Sequence, residues 1–348
     1  MPLGLQTAQL NFEAKTEIGQ EGRNSKVYLA HDKQLDGELV IKEVPKSKIP
    51  HATQYYTEAK ILHASSHPNV CGINYGCSDT DNIYMAMPYY KNGSLKKLMG
   101  TKHLTIRETL RYAIQFLSGL NNVHSKGLIH FDIKPDNILI SDSDEAILAD
   151  FGLAKAMDRL GFATPDKLYP KGIPPETFTS TDKTILFDIY LCGLTLYRIV
   201  NGDSHYLSQF AFPTQPDYIN AIKSGNFPDR SSYLPHVPLK MQRTINKALS
   251  VNTLDRHQSV LELINELSDI DENLDWRYEN NTTTQKWTKS LTDKSLEITM
   301  FGVSPNIAIE SKKTMFTSGN TTSISGHSHI NLSNSIFFSK LKKALKEL

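Results

Sequence analysis

The stretch HFDIKPDNIL, residues 130–139, decides how the rest of the chain is read. It sets an acid, a lysine and an amide at fixed offsets: Asp132, Lys134 and Asn137. Further on, LADFGLA places a second acid, Asp150, in an apolar run. The intervening SDSDEA is rich in turn formers. A β-hairpin with its turn there can span the 18 residues (150 − 132) between the two acids and bring both to one cleft. Upstream lies TIRETLRYAIQFLSGLNNVHSKG, where Leu110, Ile114, Leu117 and Leu120 recur near helical spacing and Gly127 supplies a stop.

The length of 348 residues fits one large domain or two modest ones, and 39% hydrophobic residues suffice for a packed core. With 38 basic against 37 acidic residues, charge gives no global argument for nucleic acid or an anionic membrane. Cys71, Cys77 and Cys192 make neither a disulfide framework nor a zinc pattern, so reduced thiols in a cytosolic protein are expected. The N-terminal MPLGLQTAQLNFEAK lacks the features of a signal peptide. ILFDIYLCGLTLYRIV, residues 185–200, is the most apolar helix-length run. It falls short of the roughly 20 residues a membrane span needs. Asp188 and Arg198 interrupt it, so it reads as a buried core helix in a cytoplasmic protein.

Residues 12–45 alternate like strands, with KVYLAHD and ELVIKEV joined by a turn on Asp36-Gly37. TQYYTEAKILHASS reads as an amphipathic helix with Tyr55, Tyr56, Ala59 and Leu62 close to one face, ended by His67-Pro68. Two more strand-like runs end in NIYMAMPYY. Beyond residue 94 the pattern is mainly helical. An α+β fold is expected, a small β-rich part before a larger helical part, with a ligand cleft between them.

Taken in order, these segments resemble the protein kinase superfamily over residues 12–268, with an N-lobe at 12–87, a C-lobe at 91–268 and a lead-in at 1–11. The motif set and its chemistry are those of phosphoryl transfer, which is mostly positioning and charge neutralisation. The resemblance implies ATP and Mg2+. It makes Asp132 the base that orients a substrate hydroxyl, Lys134 the γ-phosphate cation, and Asn137 and Asp150 the magnesium ligands, with Phe151 packing and Gly152 as a hinge. Lys42 in LVIKEV resembles the lysine on the α- and β-phosphates, and Glu58 its helix carboxylate. In EIGQEGRNSKVYLA, Gly19 and Gly22 allow close approach to phosphate and Val27 packs on adenine. The loop departs from the pattern: Ser25 replaces the third glycine, and an extra residue separates Gly19 from Gly22. Met87 guards the pocket behind adenine. Pro88-Tyr89-Tyr90 forms the hinge, with the Tyr90 N–H as donor and the Pro88 and Tyr90 carbonyls as acceptors. Glu176 in PPETF is expected to pair with Arg256 for structure, and Asp188 to brace the catalytic loop from behind.

The DIKPDN loop looks like the serine/threonine version, although Tyr169 stands where such kinases usually carry a threonine. Phe131 occupies the place usually held by an arginine that binds a phosphate on the activation segment. A kinase independent of activation-segment phosphorylation is the expectation, with Thr164 the only Ser/Thr between Gly152 and Glu176. The motif style looks bacterial or phage-borne. Two other readings fit the residues: a pseudokinase scaffold binding partners through residues 271–348, and a small-molecule kinase on a related fold.

Residues 271–348 match no family by inspection and form an accessory domain of unknown role in this reading. Ten Lys/Arg and eight Asp/Glu leave them near charge balance. Alternating runs such as SLEITMFGV and NIAIESKKTMF read as strands, and FFSKLKKALKEL as an amphipathic helix docked on its own domain or recruiting a partner or substrate. TSGNTTSISGHSH resembles neither strand nor helix; it reads as turns or as an autophosphorylation cluster. His327 and His329 lack a third ligand for a metal.

Overall fold

A computed structural model describes residues 10–18, 25–49, 56–165, 168, 172–281, 283–303 and 305–348. The chain begins with five antiparallel strands: β1 (Phe12–Glu17), β2 (Lys26–Asp32), β3 (Gly37–Pro45), β4 (Tyr75–Ser78) and β5 (Asn82–Pro88). Their order in the sheet is β1-β2-β3-β5-β4. Asp32 closes the β2–β3 turn by accepting from the Gln34 and Leu35 N–H groups at 2.8 and 3.0 Å. That turn sets the register in which Val27 faces Lys42, and Lys42 in turn faces Met85. Strand alternation does the sorting. Leu39 and Ile41 are buried with Ala30 and Ala86 on one face, while Val40 and Lys42 line the cleft on the other.

Helix α1 (Thr57–Ala64) buries Ala59 and Leu62. The sequence expectation ran this helix from Thr53; Tyr56 is instead its N-cap, and Tyr55 lies outside the described residues. After α1, the loop at 67–71 is clipped into the helical lobe. Its Asn69 carbonyl accepts from the Leu148 N–H at 2.9 Å, and the Cys71 N–H donates to the Leu148 carbonyl at 2.7 Å. A Cβ on Gly119 would sit 2.3 Å from that same Asn69 carbonyl oxygen, so only glycine allows the approach.

The helical lobe follows: α2 (Leu95–Met99), α3 (Ile106–Ser125), β6 (Leu128–Ile129), β7 (Ile138–Ile140), β8 (Ala146–Leu148), β9 (Lys155–Ala156), α4 (Leu186–Asn201), α5 (Asp203–Leu207), α6 (Gln215–Ser224), α7 (Leu239–Ala248) and α8 (Val260–Ser268). Helix α3 opens with a reciprocal Thr105–Glu108 capping box and closes before Gly127, whose φ of 73° suits glycine. Helix α4 is apolar all round and buried along nearly its whole length, as its sequence demanded. The expected hairpin is β7–β8, with Ile138 opposite Leu148.

A third unit holds β10 (Arg277–Asn280), β11 (Thr284–Ser290), β12 (Lys294–Phe301), β13 (Ile307–Met315), β14 (Thr321–Ser323), β15 (His329–Leu332) and α9 (Asn334–Glu347). The strands run in sheet order β10-β11-β12-β13, and β14 and β15 both pair with β13. The hydroxyl-rich TSGNTTSISGHSH thus contains a short strand, which Thr321 to Ser323 make by pairing with Lys312–Thr314. Trp276, Trp287, Ile298 and the α9 residues Phe337, Leu341, Ala344 and Leu345 form a separate core. Their spacing of four, three and one puts one helix face on the sheet. No cluster of three metal-ligating side chains exists among the described residues, and His327 lies 3.5 Å from Glu347.

This unit is packed onto the helical lobe. Arg107 on α3 forms a two-pronged pair with Asp275 at 2.6 and 2.9 Å. The Trp287 indole N–H donates to Nδ1 of the buried His236 at 3.2 Å. The Tyr278 ring lies 4.9 Å from His103 and 5.4 Å from His236. No described helix is long and apolar enough to cross a membrane.

Candidate functional site

Between the sheet and the helical lobe lies a cleft of about 540 Å3. Ile18, Val27, Val40 and Met87 give it an apolar roof and back, with Ser25 at its edge; Lys42, Glu58, Asn137 and Asp150 also line it. Gly19 and Gly22 lie outside the described residues. Strand β5 runs out at Pro88 into Tyr89 and Tyr90, which border the cleft. The Tyr90 carbonyl already accepts from the Gly93 N–H at 3.0 Å. One of the two hinge acceptors expected from the sequence is therefore partly committed.

Lys42 comes from β3, Glu58 from α1 and Asp150 from the turn after β8. The Lys42 ammonium sits 2.6 Å from Glu58 and 3.3 Å from Asp150. Burial disfavours the lysine's charge, but the two carboxylates override it and hold its pKa above the ordinary lysine range. Lys42 in turn pulls Asp150 down to about 2, against the cost of its own burial. The ionised Asp150 carboxylate stands deep in the cleft, with about half of its side chain open to the cleft's own space, and its backbone holds φ of 60°.

The loop at 130–137 is held from three sides. Asp188, fully buried on α4, accepts from the His130 and Phe131 N–H groups, each at 2.8 Å, and lies 2.8 Å from His124 Nε2. Phe131 is thereby fixed at φ of 68°, and its buried ring packs edge-on against Phe187 at 5.2 Å. His130 stacks edge-on against Phe151 at 4.7 Å, and burial lowers its pKa, keeping the ring neutral. On the cleft side, Asn137 donates its amide to the Asp132 carbonyl at 2.9 Å and to Asp132 Oδ2 at 2.7 Å. The Lys134 ammonium sits 2.9 Å from the same carboxylate oxygen. With its NH2 group occupied, Asn137 has its side-chain oxygen left to accept a cation. Asn137 and Asp150 are thus two hard oxygen donors lining one cleft, which suits a small divalent ion that fills its remaining positions with phosphate and water.

Farther out, Arg256 is buried and grips Glu176 with two bonds at 2.8 and 2.7 Å. Its remaining N–H groups reach the Leu186 and Ser250 carbonyls at 2.7 and 2.8 Å. This anchors the end of the segment that starts at Asp150. Midway, Ala163 and Lys183 exchange two backbone bonds at 2.8 and 2.9 Å, and the Thr164 hydroxyl donates to Asp182 at 2.5 Å.

Sequence reasoning did not find the ladder of charges beside the catalytic loop. Lys96 reaches Asp136 at 2.6 Å, Arg198 approaches Asp136 at 3.7 Å, and Arg198 binds Asp203 at 2.7 Å. Arg198 in an otherwise apolar helix was the available signal, since burying its charge demands an acidic partner. His124 was missed too; its helical position gives no hint of Asp188, 64 residues on.

A sheet lobe stacked on a helical lobe, with lysine, aspartates and asparagine converging in the cleft, defines a two-lobed kinase domain. The protein kinase domain family model matches residues 12–276, and the chain belongs to that family. Among curated proteins it is 26% identical over 263 residues to a probable serine/threonine-protein kinase PknB of Lactococcus lactis, covering 72% of this chain and 40% of that protein. It is 25% identical over 293 residues to the serine/threonine-protein kinase PknD of Chlamydia muridarum, covering 72% and 30%. A probable serine/threonine-protein kinase of Clostridium acetobutylicum is 26% identical over 269 residues, covering 75% and 40%. The matched regions span well under half of these bacterial relatives. Residues 277–348 fall outside the family match.

Proposed function

We propose that this chain transfers the γ-phosphate of ATP to serine or threonine hydroxyls of protein substrates, and does so without a phosphorylated activation segment. Asp132 orients the incoming hydroxyl and accepts its proton. Lys134, already within reach of Asp132, moves its charge onto the transferring phosphate. Lys42, held by Glu58, contacts the α- and β-phosphates. Asn137 and Asp150 hold Mg2+, which when bound neutralises the charge of the phosphates. Adenine lies against Val27, beside Met87, with the Tyr90 N–H and the Pro88 carbonyl on its edge; Ser25 closes the phosphate end. Glu176–Arg256 and Asp188 keep the segment and the loop in place. A cytoplasmic setting fits the reduced thiols, and residues 271–348 are suited to recruiting a partner or substrate.

The observation that carries this reading is Phe131. Its ring is buried on Phe187 and its N–H is taken by Asp188, yet the acid next to it keeps its hydrogen bonds to Lys134 and Asn137. No cation stands at that position to read a phosphate, and the loop is already ordered. The test is incubation of the purified chain with γ-labelled ATP, magnesium and a mixed protein substrate. Label on serine or threonine is expected, reduced at least about 100-fold in D132A, the low end for a positioned base. T164A should keep its rate within tenfold. A larger loss sinks phosphorylation independence, and absence of any transfer sinks the activity.

A further inference from the structure

The segment between Asp150 and Glu176 is fastened by its own hydrogen bonds. Asp158 closes a turn by accepting from the Leu160 and Phe162 N–H groups at 2.8 and 3.0 Å. The next residue, Ala163, is buried and exchanges both backbone bonds with Lys183. Thr164 is exposed, and its hydroxyl donates to the carboxylate of Asp182 at 2.5 Å. Lys183, next to Asp182 in the chain, is turned inward: it is 3% exposed and donates to the Glu176 and Ser180 carbonyls. Between the bridge and the Glu176 anchor lie Leu168, Gly172 and Ile173, which wall a small cavity shared with Asp132 and Lys134.

We propose that Thr164 is an inhibitory phosphoacceptor: phosphate on its oxygen unfastens the segment instead of ordering it. The donor is ATP in a protein kinase active site. The Thr164 oxygen forms a bond to the γ-phosphorus, the bond from that phosphorus to the β–γ bridging oxygen breaks, ADP leaves, and the hydroxyl proton passes to the kinase's base. The modification replaces a donating hydroxyl by oxygens that only accept, so the bond to Asp182 cannot persist. It also sets about two negative charges against the Asp182 carboxylate, and phosphate beside an acid disrupts by repulsion. That repulsion, which loss of the hydroxyl alone does not bring, forces open the adjacent tie, the bridge at Ala163–Lys183. Opening displaces the wall beside Asp132 and leaves Lys42, Glu58 and Asp150 untouched, so acceptor use falls while ATP binding does not.

The inference rests on the kinase reading above for its activity arm only. The full chain is prepared with phosphate installed at Thr164 during synthesis, with and without D182N. We expect phosphorylation to cut kcat/KM for the protein acceptor about tenfold or more, with KM for ATP within about twofold. In D182N, whose amide can donate to the phosphate, the loss shrinks to about threefold or less. Hydrogen exchange at the Ala163 and Lys183 amides should quicken on phosphorylation, and this readout needs no catalysis. A phosphorylated chain as active as the unmodified one, a loss that persists in D182N, or unchanged exchange at those amides overturns the inference. An unmodified chain inactive on every acceptor would instead refute the proposed function, with the exchange measurement still deciding this site.

Discussion

Replacing Asp188 by asparagine tests how the loop around Asp132 is held. The carboxylate is completely buried and faces three nitrogens at 2.8 Å: two main-chain N–H groups and His124 Nε2. D188N keeps the volume but offers one accepting oxygen, and its NH2 group turns toward a donor. One charge-assisted bond is lost, typically about 1.5–3 kcal/mol, and one buried N–H is orphaned, about 1–3 kcal/mol. These overlap, so the expected cost to stability is roughly 2–5 kcal/mol. Function should suffer more than stability. Phe131 is held at φ of 68°, which costs a non-glycine residue about 1–2 kcal/mol. Freed from its clamp, it relaxes and carries Asp132 with it; a displacement of ~1 Å is enough to lower transfer by about 100-fold. Urea unfolding should be followed by far-ultraviolet circular dichroism, because both tryptophans lie in the C-terminal core and report that unit. Initial transfer rates are then compared per folded molecule. A D188N protein within ~1 kcal/mol of the parent and within about threefold in rate would refute the clamp.

Two further outcomes follow from the packing. R256M removes a buried guanidinium that satisfies Glu176 and three backbone carbonyls, and should destabilise the helical lobe by about 3–5 kcal/mol; a thermal midpoint within ~2 °C of the parent would contradict this. His236 is held neutral by burial, with a smaller push from His103, and its pKa falls to about 3. The unfolded histidine takes up a proton near its ordinary pKa of about 6.5 and the folded one does not. Stability is therefore lost as pH falls below about 6.5, by up to ~1.4 kcal/mol per pH unit for this residue. H236N keeps an acceptor for Trp287 and removes the titration, so tryptophan-detected unfolding should depend less on pH than in the parent; coincident profiles between pH 4.5 and 6.5 would remove His236 from the account.

Much of the kinase unit was legible before any coordinates. Residues 12–45 read as alternating strands, and in the structure that period of two leaves Lys42 and Val40 on one face and Ile41 on the other. Helices α3 and α4 announced themselves by periodicity and by an all-round apolar surface. The segment around Thr321 was misread because its strand is made by pairing with β13 and not by local preference: threonines and serines are ambiguous until a partner edge is present. The start of α1 was placed too early for a related reason, since an apolar face does not mark where backbone bonding begins.

The decapeptide by itself determined which groups are present and how far apart they lie along the chain, and that spacing carried the chemistry of Asp132, Lys134 and Asn137. Only the tertiary structure decided what holds them. Asp188 is 56 residues from Asp132 (188 − 132), and the pairs that Lys96 and Arg198 make with Asp136, like the Thr164–Asp182 tie, join positions that no local pattern relates. The docking of residues 271–348 through Arg107 and His236 is of the same kind. Short-range chemistry is written in spacing; partners across the core depend on which surfaces the fold brings together, and burial then makes those partners obligatory.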